Sequence, residues 1–381
     1  MRALTTPSNR PAQRLAAFAG KCTTTRRVLQ VITPSHMSGA EMQLVRMTRR
    51  MQARGHQMPI LVKQNWNDLV EMIHYGLDLE PAQIGGKFNP LALARIARAA
   101  RRRRVELIQS TLSTASWWCG WLESLGGPKS IGHVQGFTSA RWHSRQSHLL
   151  AVSNAVRDHL TDQGIPRERI TVLHNALDAD EFVPRRCPLA VRAELGAEAE
   201  TPVIGVFAHL SPKKGHRELF AAMPRVLAAH PKTQLWVVGQ GALRAELIET
   251  ANTGGFLDRV RFTGFRRDAA DLMNAIDVMA LPSHREPCAL AYVEAALLGK
   301  PIVACAAGGT PESVADEETG LLVPVGDSRA IADALLTLLD NRGLARRLGE
   351  AGHERARELF SWDRFIATLE GVYDRVLSQA I

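Results

Sequence analysis

Two glutamates, Glu286 and Glu294, stand with seven residues between them in a stretch that has the pattern of a ligand site. A loop containing Cys288 separates Glu286 from a helical pattern that begins at Ala289 and ends near Leu298. The first N–H groups of a helix are unbonded and carry partial positive charge, so they suit a phosphate. Carboxylates accept hydrogen bonds from paired hydroxyls such as those of a sugar. This stretch therefore predicts a site for a phosphorylated, hydroxyl-rich ligand.

The elements around these glutamates follow the order of a doubly wound α/β domain. The helix ends at Gly299, Pro301 prevents it from continuing, and a buried-strand pattern follows at 302–305. Two glycines at 308–309 then open a loop that leads to Glu312. Ligands of such domains bind at the carboxyl ends of the strands. We therefore expect the predicted site at that edge of a parallel sheet.

The motif E-x7-E, followed by GKPIVA and GG-x-x-E, resembles the donor-site signature of the retaining glycosyltransferases of family 4. The resemblance extends from about Arg27 to the C-terminus. It implies an α/β protein of the GT-B fold, with two doubly wound Rossmann-like domains facing across a cleft and a C-terminal helix crossing back to the N-terminal domain. The implied activity is a hexosyl transfer from a UDP- or GDP-sugar to a hydroxyl, with retention of configuration. No cofactor or metal is expected.

The same resemblance assigns roles to residues of the C-terminal half. Glu286 would hold the donor sugar, Glu294 the ribose and Lys214 the pyrophosphate, whose developing charge a cation stabilises. The loop N–H groups that would bind phosphate belong to Cys288, Ala289 and Leu290. The other donor-binding residues that the resemblance implies are Gly39, His209, Gly241, Phe265 and Arg266, of which the last two are candidates for the nucleobase site.

A histidine at a strand end is the predicted acceptor-side residue. His133 closes the strand pattern after Ser130, and the resemblance puts a histidine at this place near the anomeric carbon of the donor. With Lys214 and Glu286 it completes the predicted catalytic set. His143 and His148 remain alternatives.

The chain departs from the family pattern at three places. His209 stands where the family has an arginine, Cys288-Ala289 replaces Phe-Gly, and Ala176 replaces a glycine before Asp178. The Ala289 replacement is tolerated if its φ is negative and strained if φ is positive. The one Asp-x-Asp motif, which begins at Asp178, is interpreted as structural.

Length and composition indicate a globular chain of two domains. The 381 residues are 45% hydrophobic and 22% charged, and five scattered cysteines favour a reducing compartment. Residues 1–25 are interpreted as a disordered basic tail, with a targeting segment as the alternative. The predicted domains are an N-terminal acceptor-side domain at 26–185, joined by the last helix at 362–381, and a C-terminal nucleotide-sugar-binding domain at 202–361. Residues 186–201 are the predicted linker.

Positive charge is concentrated in the N-terminal part of the sequence. The net charge is +9, whereas the first 110 residues alone hold 18 Lys and Arg against six Asp and Glu. An anionic membrane surface is therefore an expected partner beside the donor and a glycan or lipid-linked acceptor. A cytoplasmic location, with peripheral attachment to the inner face of the cytoplasmic membrane, fits this reading. No nucleic-acid partner is expected, because no recognition motif accompanies the charge.

Two helical patterns in the N-terminal half have structural interpretations. Arginines 101–104 come at the end of a helical pattern, where cations complement the helix dipole. Trp117, Trp118 and Trp121 have helical spacing and predict a stripe that faces the core.

Three other classes of function remain alternatives. The fold could host a nucleotide-sugar epimerase or an inverting transferase, which the anomer of the product would distinguish. The departures at His209, Cys288 and Ala289 allow a non-catalytic nucleotide-sugar-binding protein. A basic nucleic-acid binder is the third, and the salt dependence of DNA binding would test it.

Overall fold

A computed structural model describes residues 24–34, 39–64 and 75–378 of the chain. It divides into two compact units. Unit 1 comprises the described parts of 1–152, with 157–173 and 366–381, and unit 2 comprises 153–156 and 174–365. Most of the predicted basic tail, and Ser38 beside the predicted donor residue Gly39, lie outside the described residues. The domain boundaries given above remain predictions.

The described part of unit 1 contains one parallel sheet of seven strands in the order β3-β2-β1-β4-β5-β6-β7. The strands are β1 Val28–Ile32, β2 Ile60–Lys63, β3 Leu79–Ala82, β4 Leu107–Thr111, β5 Lys129–Val134, β6 His148–Ala151 and β7 Ile170–Val172. The strand order reverses between β1 and β4, so the sheet has a topological switch point there.

Helices cover both faces of this sheet. They are α1 Gly39–Ala53, α2 Pro90–Arg103, α3 Ser113–Ser124, α4 Asn154–Thr161, which unit 1 shares with unit 2, and the end of α13 Trp362–Ser378. Leu29 and Val31 of β1 pack with the buried faces of α2 and α3. Gln109 of β4 points to the opposite face, where its side chain contacts Met47 of α1 and Tyr373 of α13. Side chains alternate along a strand, so one strand serves both helical layers.

Unit 2 contains a second parallel sheet, in the order β10-β9-β8-β11-β12-β13. Its strands are β8 Val203–Phe207, β9 Gln234–Val238, β10 Val260–Gly264, β11 Val278–Leu281, β12 Ile302–Cys305 and β13 Leu321–Val323. The order reverses between the neighbours β8 and β11, which pair directly at Val278 and Ile204. A ligand crevice is expected at the carboxyl ends of these two strands.

The helices of unit 2 bury one extended core against its sheet. They are α5 Pro188–Glu194, α6 His216–Ala229, α7 Arg244–Thr253, α8 Ala269–Ala275, α9 Leu290–Leu297, α10 Thr310–Ser313, α11 Ser328–Asp340 and α12 Arg342–Leu359. Trp236 of β9 and Tyr292 of α9 are among its fully buried side chains. Near-continuous apolar strands are typical of parallel sheets covered on both faces.

The predicted linker 186–201 is ordered and packs within unit 2. It contains α5, whose Val191 is fully buried. Arg192 donates to the carbonyls of Ala275 and Thr201 and pairs with Asp277 at 2.8 Å. These bonds fasten the segment to the amino-terminal edge of the unit 2 sheet. Among the described residues, no helix is both long and apolar enough to cross a membrane.

Candidate active site

An ion pair between Lys214 and Glu286 lies at the switch point of unit 2. Lys214 follows β8 in a short 3-10 turn, and Glu286 follows β11. The Lys214 Nζ lies 2.5 Å from Glu286 Oε2, and the two side chains are 20% and 5% exposed. Because β8 and β11 are neighbours, their carboxyl ends bring together residues 72 positions apart. The structure therefore joins the predicted pyrophosphate lysine to the predicted sugar-binding glutamate.

A glycine allows the two loops of this pair to approach each other. Gly215 has φ of +71°, and a Cβ there would lie 1.9 Å from the carbonyl oxygen of Pro282. A residue with a side chain would be strained by its φ and would also clash with backbone. The contact is continued by a hydrogen bond from His284 N to Lys213 O at 2.9 Å. Gly215 thus fixes Lys214 beside the loop that carries Glu286.

A second glycine loop packs against the residues that follow β8. Gly239 has φ of +147°, and a Cβ on it would lie 2.0 Å from Ala208 O. A Cβ on Gly241 would lie 2.3 Å from Leu210 O, and Leu210 N donates to Gln240 O at 2.9 Å. Gly241, predicted at the donor site, therefore supports the loop carrying His209. His209 itself is exposed at the carboxyl end of β8.

The predicted phosphate loop leads directly into helix α9. Ala289 is its cap residue, with φ of −78° and ψ of 116°, and the helix begins at Leu290. The negative φ satisfies the condition set out for this replacement, and no described non-glycine residue with positive φ lies in this loop. Burial raises the pKa of the Cys288 thiol to about 12, so it is neutral at physiological pH. The change from Phe-Gly to Cys-Ala thus leaves the backbone unstrained.

Glu294 and Glu312 have different environments. Glu294 is half-buried in the second turn of α9. Glu312 accepts hydrogen bonds from Asn154 N at 2.8 Å, Ala155 N at 3.1 Å and His174 Nε2 at 2.8 Å. Burial raises the pKa of Glu312, but these bonds outweigh it, so the pKa is lowered overall. Glu312 therefore stays charged and caps the amino end of α4, a role that the GG-x-x-E motif did not reveal.

The glycine pair holds the main chain of the Glu286 loop. Gly309 N donates to Glu286 O at 2.7 Å. A Cβ on Gly309 would lie 2.2 Å from Pro287 O, so a larger residue would displace the loop. The sequence placed the GG-x-x-E motif near the site, and the structure shows that its second glycine holds the Glu286 loop in position.

The predicted nucleobase residues follow β10. Phe265 is 67% exposed. The Arg266 guanidinium binds Asp268 through two hydrogen bonds of 2.7 and 2.6 Å and also reaches Glu194 at 3.0 Å. The bonds to Arg266 lower the pKa of Asp268 to about 2, so the carboxylate is charged. Arg266 is thus neutralised by two acids, and Phe265 offers an open ring.

Two predicted site residues belong to unit 1. Gly39 is the first residue of α1, which follows β1. His133 lies near the end of β5, opposite Thr111 of β4, and is 3% exposed. Burial lowers the pKa of His133 to about 4, so its imidazole is neutral at physiological pH. Both residues stand at the carboxyl edge of the unit 1 sheet.

The alternative histidines are buried and have local partners. His143 Nε2 lies 2.9 Å from Thr138 Oγ1, and His148 Nε2 lies 2.8 Å from Thr171 Oγ1. Burial lowers the pKa of each to about 4. Their contacts suit structural roles.

The Asp-x-Asp motif also has local partners. Asp178 Oδ1 accepts a hydrogen bond from Trp362 N at 3.0 Å, and nearby Glu181 Oε2 accepts one from Trp362 Nε1 at 2.8 Å. The interpretation of Asp178 as structural accords with these bonds. Within the described ranges, no cluster of His, Cys, Asp and Glu has the arrangement of a metal site.

Known families match both halves of the chain. Residues 190–355 match the model of Glycosyl transferases group 1, and residues 37–181 match that of Glycosyltransferase Family 4. Each half of the chain is thus similar to a glycosyltransferase family model. The predicted fold class, two Rossmann-like α/β domains, is confirmed by the structure and by its likeness to solved glycosyltransferases.

Curated relatives and solved structures resemble the chain along much of its length. A glycogen synthase of Mycobacterium tuberculosis is 31% identical over 252 residues, which are 64% of this chain and 59% of that protein. A GDP-mannose-dependent mannosyltransferase of Corynebacterium glutamicum that acts on a phosphatidylinositol monomannoside is 29% identical, over 73% of this chain and 72% of that protein. Anabaena HepE in complex with UDP superposes with a TM-score of 0.81 at 22% identity, covering 93% of this chain and 100% of HepE. The chain thus spans about three fifths of the length of the glycogen synthase.

Proposed function

We propose that this glycosyltransferase moves a hexose from a UDP- or GDP-sugar to a hydroxyl acceptor, with retention of configuration and without a metal. The observation that carries the proposal is the Lys214–Glu286 pair at the switch point, beside the start of α9. A cation, a carboxylate and a helix N-terminus at one strand edge complement a diphosphate joined to a sugar. The glycogen synthase and the mannosyltransferase described above support this class of reaction. So does a lipopolysaccharide core biosynthesis glycosyltransferase of Rhizobium meliloti, which is 26% identical over 70% of this chain and 75% of that protein.

Donor binding would exchange the partners of the ion pair. The donor diphosphate would take Lys214 and the N–H groups at the start of α9, and a sugar hydroxyl would take the carboxylate of Glu286. Glu294, in the second turn of the helix, would bind the ribose. In the transition state Lys214 and the helix N-terminus would stabilise the charge that develops on the leaving diphosphate.

The acceptor would enter from the carboxyl edge of the unit 1 sheet. His133 is neutral there, so it would orient the acceptor by hydrogen bonding without adding charge. The proton of the acceptor hydroxyl would pass to the leaving phosphate on the same face of the sugar, which retains the anomeric configuration.

The nucleobase, the sugar and the acceptor are proposed only as classes. HepE binds UDP and UDP-glucose, and the mannosyltransferase is named for GDP-mannose, so both nucleotides are candidates. The relatives named for lipopolysaccharide and phosphatidylinositol mannoside support an acceptor in cell-surface polysaccharide, lipopolysaccharide or glycolipid synthesis. The excess of basic residues in the first 110 positions supports peripheral attachment to the cytoplasmic face of the membrane.

The first experiment is a thermal-shift screen of UDP- and GDP-sugars. A bound donor stabilises the fold by about 2.7 kcal/mol at a concentration of about 100 Kd, so a true donor is recognised by its shift. NMR of the product made from an α-linked donor should then show an α-linkage. A β-linkage would indicate an inverting transferase, and an altered free nucleotide sugar would indicate an epimerase. Binding with neither transfer nor hydrolysis would indicate a non-catalytic protein.

A further inference from the structure

Unit 1 carries a partly exposed cluster of tryptophans and cations, which we call the aromatic–basic surface. Trp117 packs edge-on against Trp121 and Trp142, with ring centroids 5.7 and 5.5 Å apart. We define the aromatic–basic surface as the side chains around Trp117 that are at least partly exposed: Lys87, Phe88, Trp121, Arg141, Trp142 and Arg145. The prediction of a core-facing tryptophan stripe holds for Trp118, which is buried, and for Trp117, which is half-buried and packs against the core of unit 1. Trp121 is half-buried and carries a cation over its ring.

Cations lie over the rings of two tryptophans. Lys87 Nζ and Arg141 Cζ lie 3.5 and 4.0 Å from the ring centroid of Trp142. Arg145 Cζ lies 3.7 Å from the ring centroid of Trp121. The attraction between a cation and an aromatic face holds these groups in place. The same cations occupy the positions that a sugar ring would need to stack on Trp142.

Apolar side chains project from the same region. Phe88, next to Lys87, is 96% exposed. Leu91, in the first turn of α2, is 59% exposed. Leu125, whose N–H bonds to Trp121 O, is 67% exposed. Large apolar groups that are exposed together mark interaction sites on protein surfaces.

The segments around the surface carry little negative charge. Residues 81–105, which include Lys87, contain no Asp or Glu, and neither do residues 124–157, which include Arg141 and Arg145. Glu123 of α3 is the exception, but its side chain is 11% exposed and is bonded to Ser130 and Ser147. Lys87 and Arg141 share one ring, and no acidic side chain of the described residues pairs with either of them. Burial and the Arg141 charge together lower the pKa of Lys87. An anion between these two cations would relieve their repulsion. The partner is therefore expected to be anionic and to have an apolar layer within reach of Phe88.

We propose that the aromatic–basic surface docks unit 1 on an anionic lipid bilayer. Trp121 and Trp142 would lie at the headgroup level, the three cations would bind lipid phosphates, and Phe88 would enter the acyl boundary. Tryptophan, basic residues and exposed apolar groups together are typical of the membrane interface. The inference deepens the proposed function and rests on it for its purpose, which is access to a lipid-linked acceptor.

The surface follows helix α3. Trp117 lies in the middle of α3, and Trp121 lies near its carboxyl end, which leads into the start of β5. Arg145 follows the turn that contains Trp142 and comes three residues before β6. Docking through this surface would therefore place the side of unit 1 that carries α3 on the bilayer.

The test is cosedimentation of the full chain with vesicles of phosphatidylcholine alone or mixed with phosphatidylglycerol. We expect binding to the mixed vesicles only, weakening as salt rises. Lys87→Gln and Arg141→Gln should each lower the partition coefficient about fivefold, because each cation near an anionic surface contributes roughly that factor. Phe88→Ser should lower it about tenfold or more, through lost apolar burial. These side chains are at least partly exposed, so the variants should fold.

Arg49→Gln is the matched control. Arg49 is exposed on α1, which covers the opposite face of the sheet from α2 and α3. The variant makes the same change in net charge and should bind vesicles nearly as the parent does. If Lys87→Gln and Phe88→Ser bind as Arg49→Gln does, or if neutral vesicles bind equally, the proposal is wrong. Binding to soluble heparin but to neither vesicle would assign the surface to an acidic glycan instead.

Donor binding separates this proposal from the proposed function. Phe88 is not among the residues proposed to bind the donor, so Phe88→Ser should leave thermal stabilisation by UDP unchanged. Vesicle binding without any stabilisation by nucleotides would overturn the proposed function and leave the docking proposal intact. Stabilisation by UDP without vesicle binding would overturn the docking proposal and leave the proposed function intact.

Discussion

Replacing Glu286 by glutamine should improve nucleotide binding while impairing transfer. In the structure Lys214 Nζ is bound to Glu286 Oε2 at 2.5 Å, so a diphosphate must break this pair before it can use the lysine. Glutamine keeps the shape of the side chain and removes its charge. It therefore frees Lys214 and also removes a negative charge beside the phosphate site.

The size of the effect follows from the burial of the pair. Exposed ion pairs contribute about 0–1 kcal/mol, whereas breaking a fully buried pair costs about 3–5 kcal/mol. Lys214 is 20% exposed and Glu286 5%, so the pair lies between these limits. We take about 1–3 kcal/mol, which predicts a UDP Kd at least about fivefold tighter and a fold destabilised by a similar energy. Loss of a charged hydrogen bond to the sugar should lower kcat/KM roughly 10- to 100-fold.

Calorimetry with UDP and initial rates with the best donor would measure the two effects. Glu246→Gln is the control, because Glu246 pairs with Arg217 on the surface of unit 2, where both side chains are nearly half exposed. It makes the same change in charge and should alter neither UDP affinity nor rate. A UDP Kd that is unchanged or weaker in Glu286→Gln would refute the idea that the pair opposes donor binding. An unchanged kcat/KM would refute the role of Glu286 in holding the sugar.

Three further substitutions test other parts of the site. Gly215→Ala places a methyl group 1.9 Å from Pro282 O at a residue with positive φ. The variant should lower the unfolding free energy by more than about 2 kcal/mol, measured by denaturation, and weaken UDP binding, measured by calorimetry. A stability near that of the parent would contradict the close contact. Because the pKa of Glu312 is lowered in the fold, its carboxylate stabilises the folded state above the ordinary carboxyl pKa, and this stabilisation is lost as pH falls through the lowered value. Glu312→Gln should therefore be less stable than the parent at neutral pH, and its stability should depend less on pH during acid unfolding. Identical acid-unfolding profiles would exclude the cap. His209→Arg adds a permanent cation at the end of β8 and should tighten UDP binding about three- to tenfold by calorimetry, whereas an unchanged Kd would show that residue 209 does not reach the phosphates.

Local sequence patterns determined the elements around the site. The helix after Glu286 was predicted from Ala289 to Leu298. It is observed from Leu290 to Leu297, and Ala289 and Leu298 are its cap residues. Gly299 ends it with φ of +65°, as expected for a glycine after a helix. Helix periods, caps and breakers act within a few residues, so they can be recognised without knowledge of the fold. The alternation of strand and helix around Glu286 likewise indicated a doubly wound domain, and the family resemblance implied a second one.

Only the tertiary structure decided which charges are paired. The sequence suggested separate ligand roles for Lys214 and Glu286, and the strand order joins them across 72 residues. The sequence did not indicate that Glu312 would cap a helix that begins 158 residues earlier. Nor did it indicate that Glu194 would help to neutralise Arg266. These partners meet because distant strands and helices become neighbours in the sheet layers. Such contacts depend on topology, which no local spacing encodes.

The tryptophans of α3 show the same division for a surface. Their helical spacing is a local property, and it correctly predicted the helix. Which of them face the core depends on the neighbours of α3. Trp142 comes from a separate turn and packs against Trp117, and Lys87 comes from another loop and lies over the Trp142 ring. Together these segments form a surface that carries cations. Sequence periodicity therefore determined the helix, and the packing of separate segments determined which of its faces remains partly exposed.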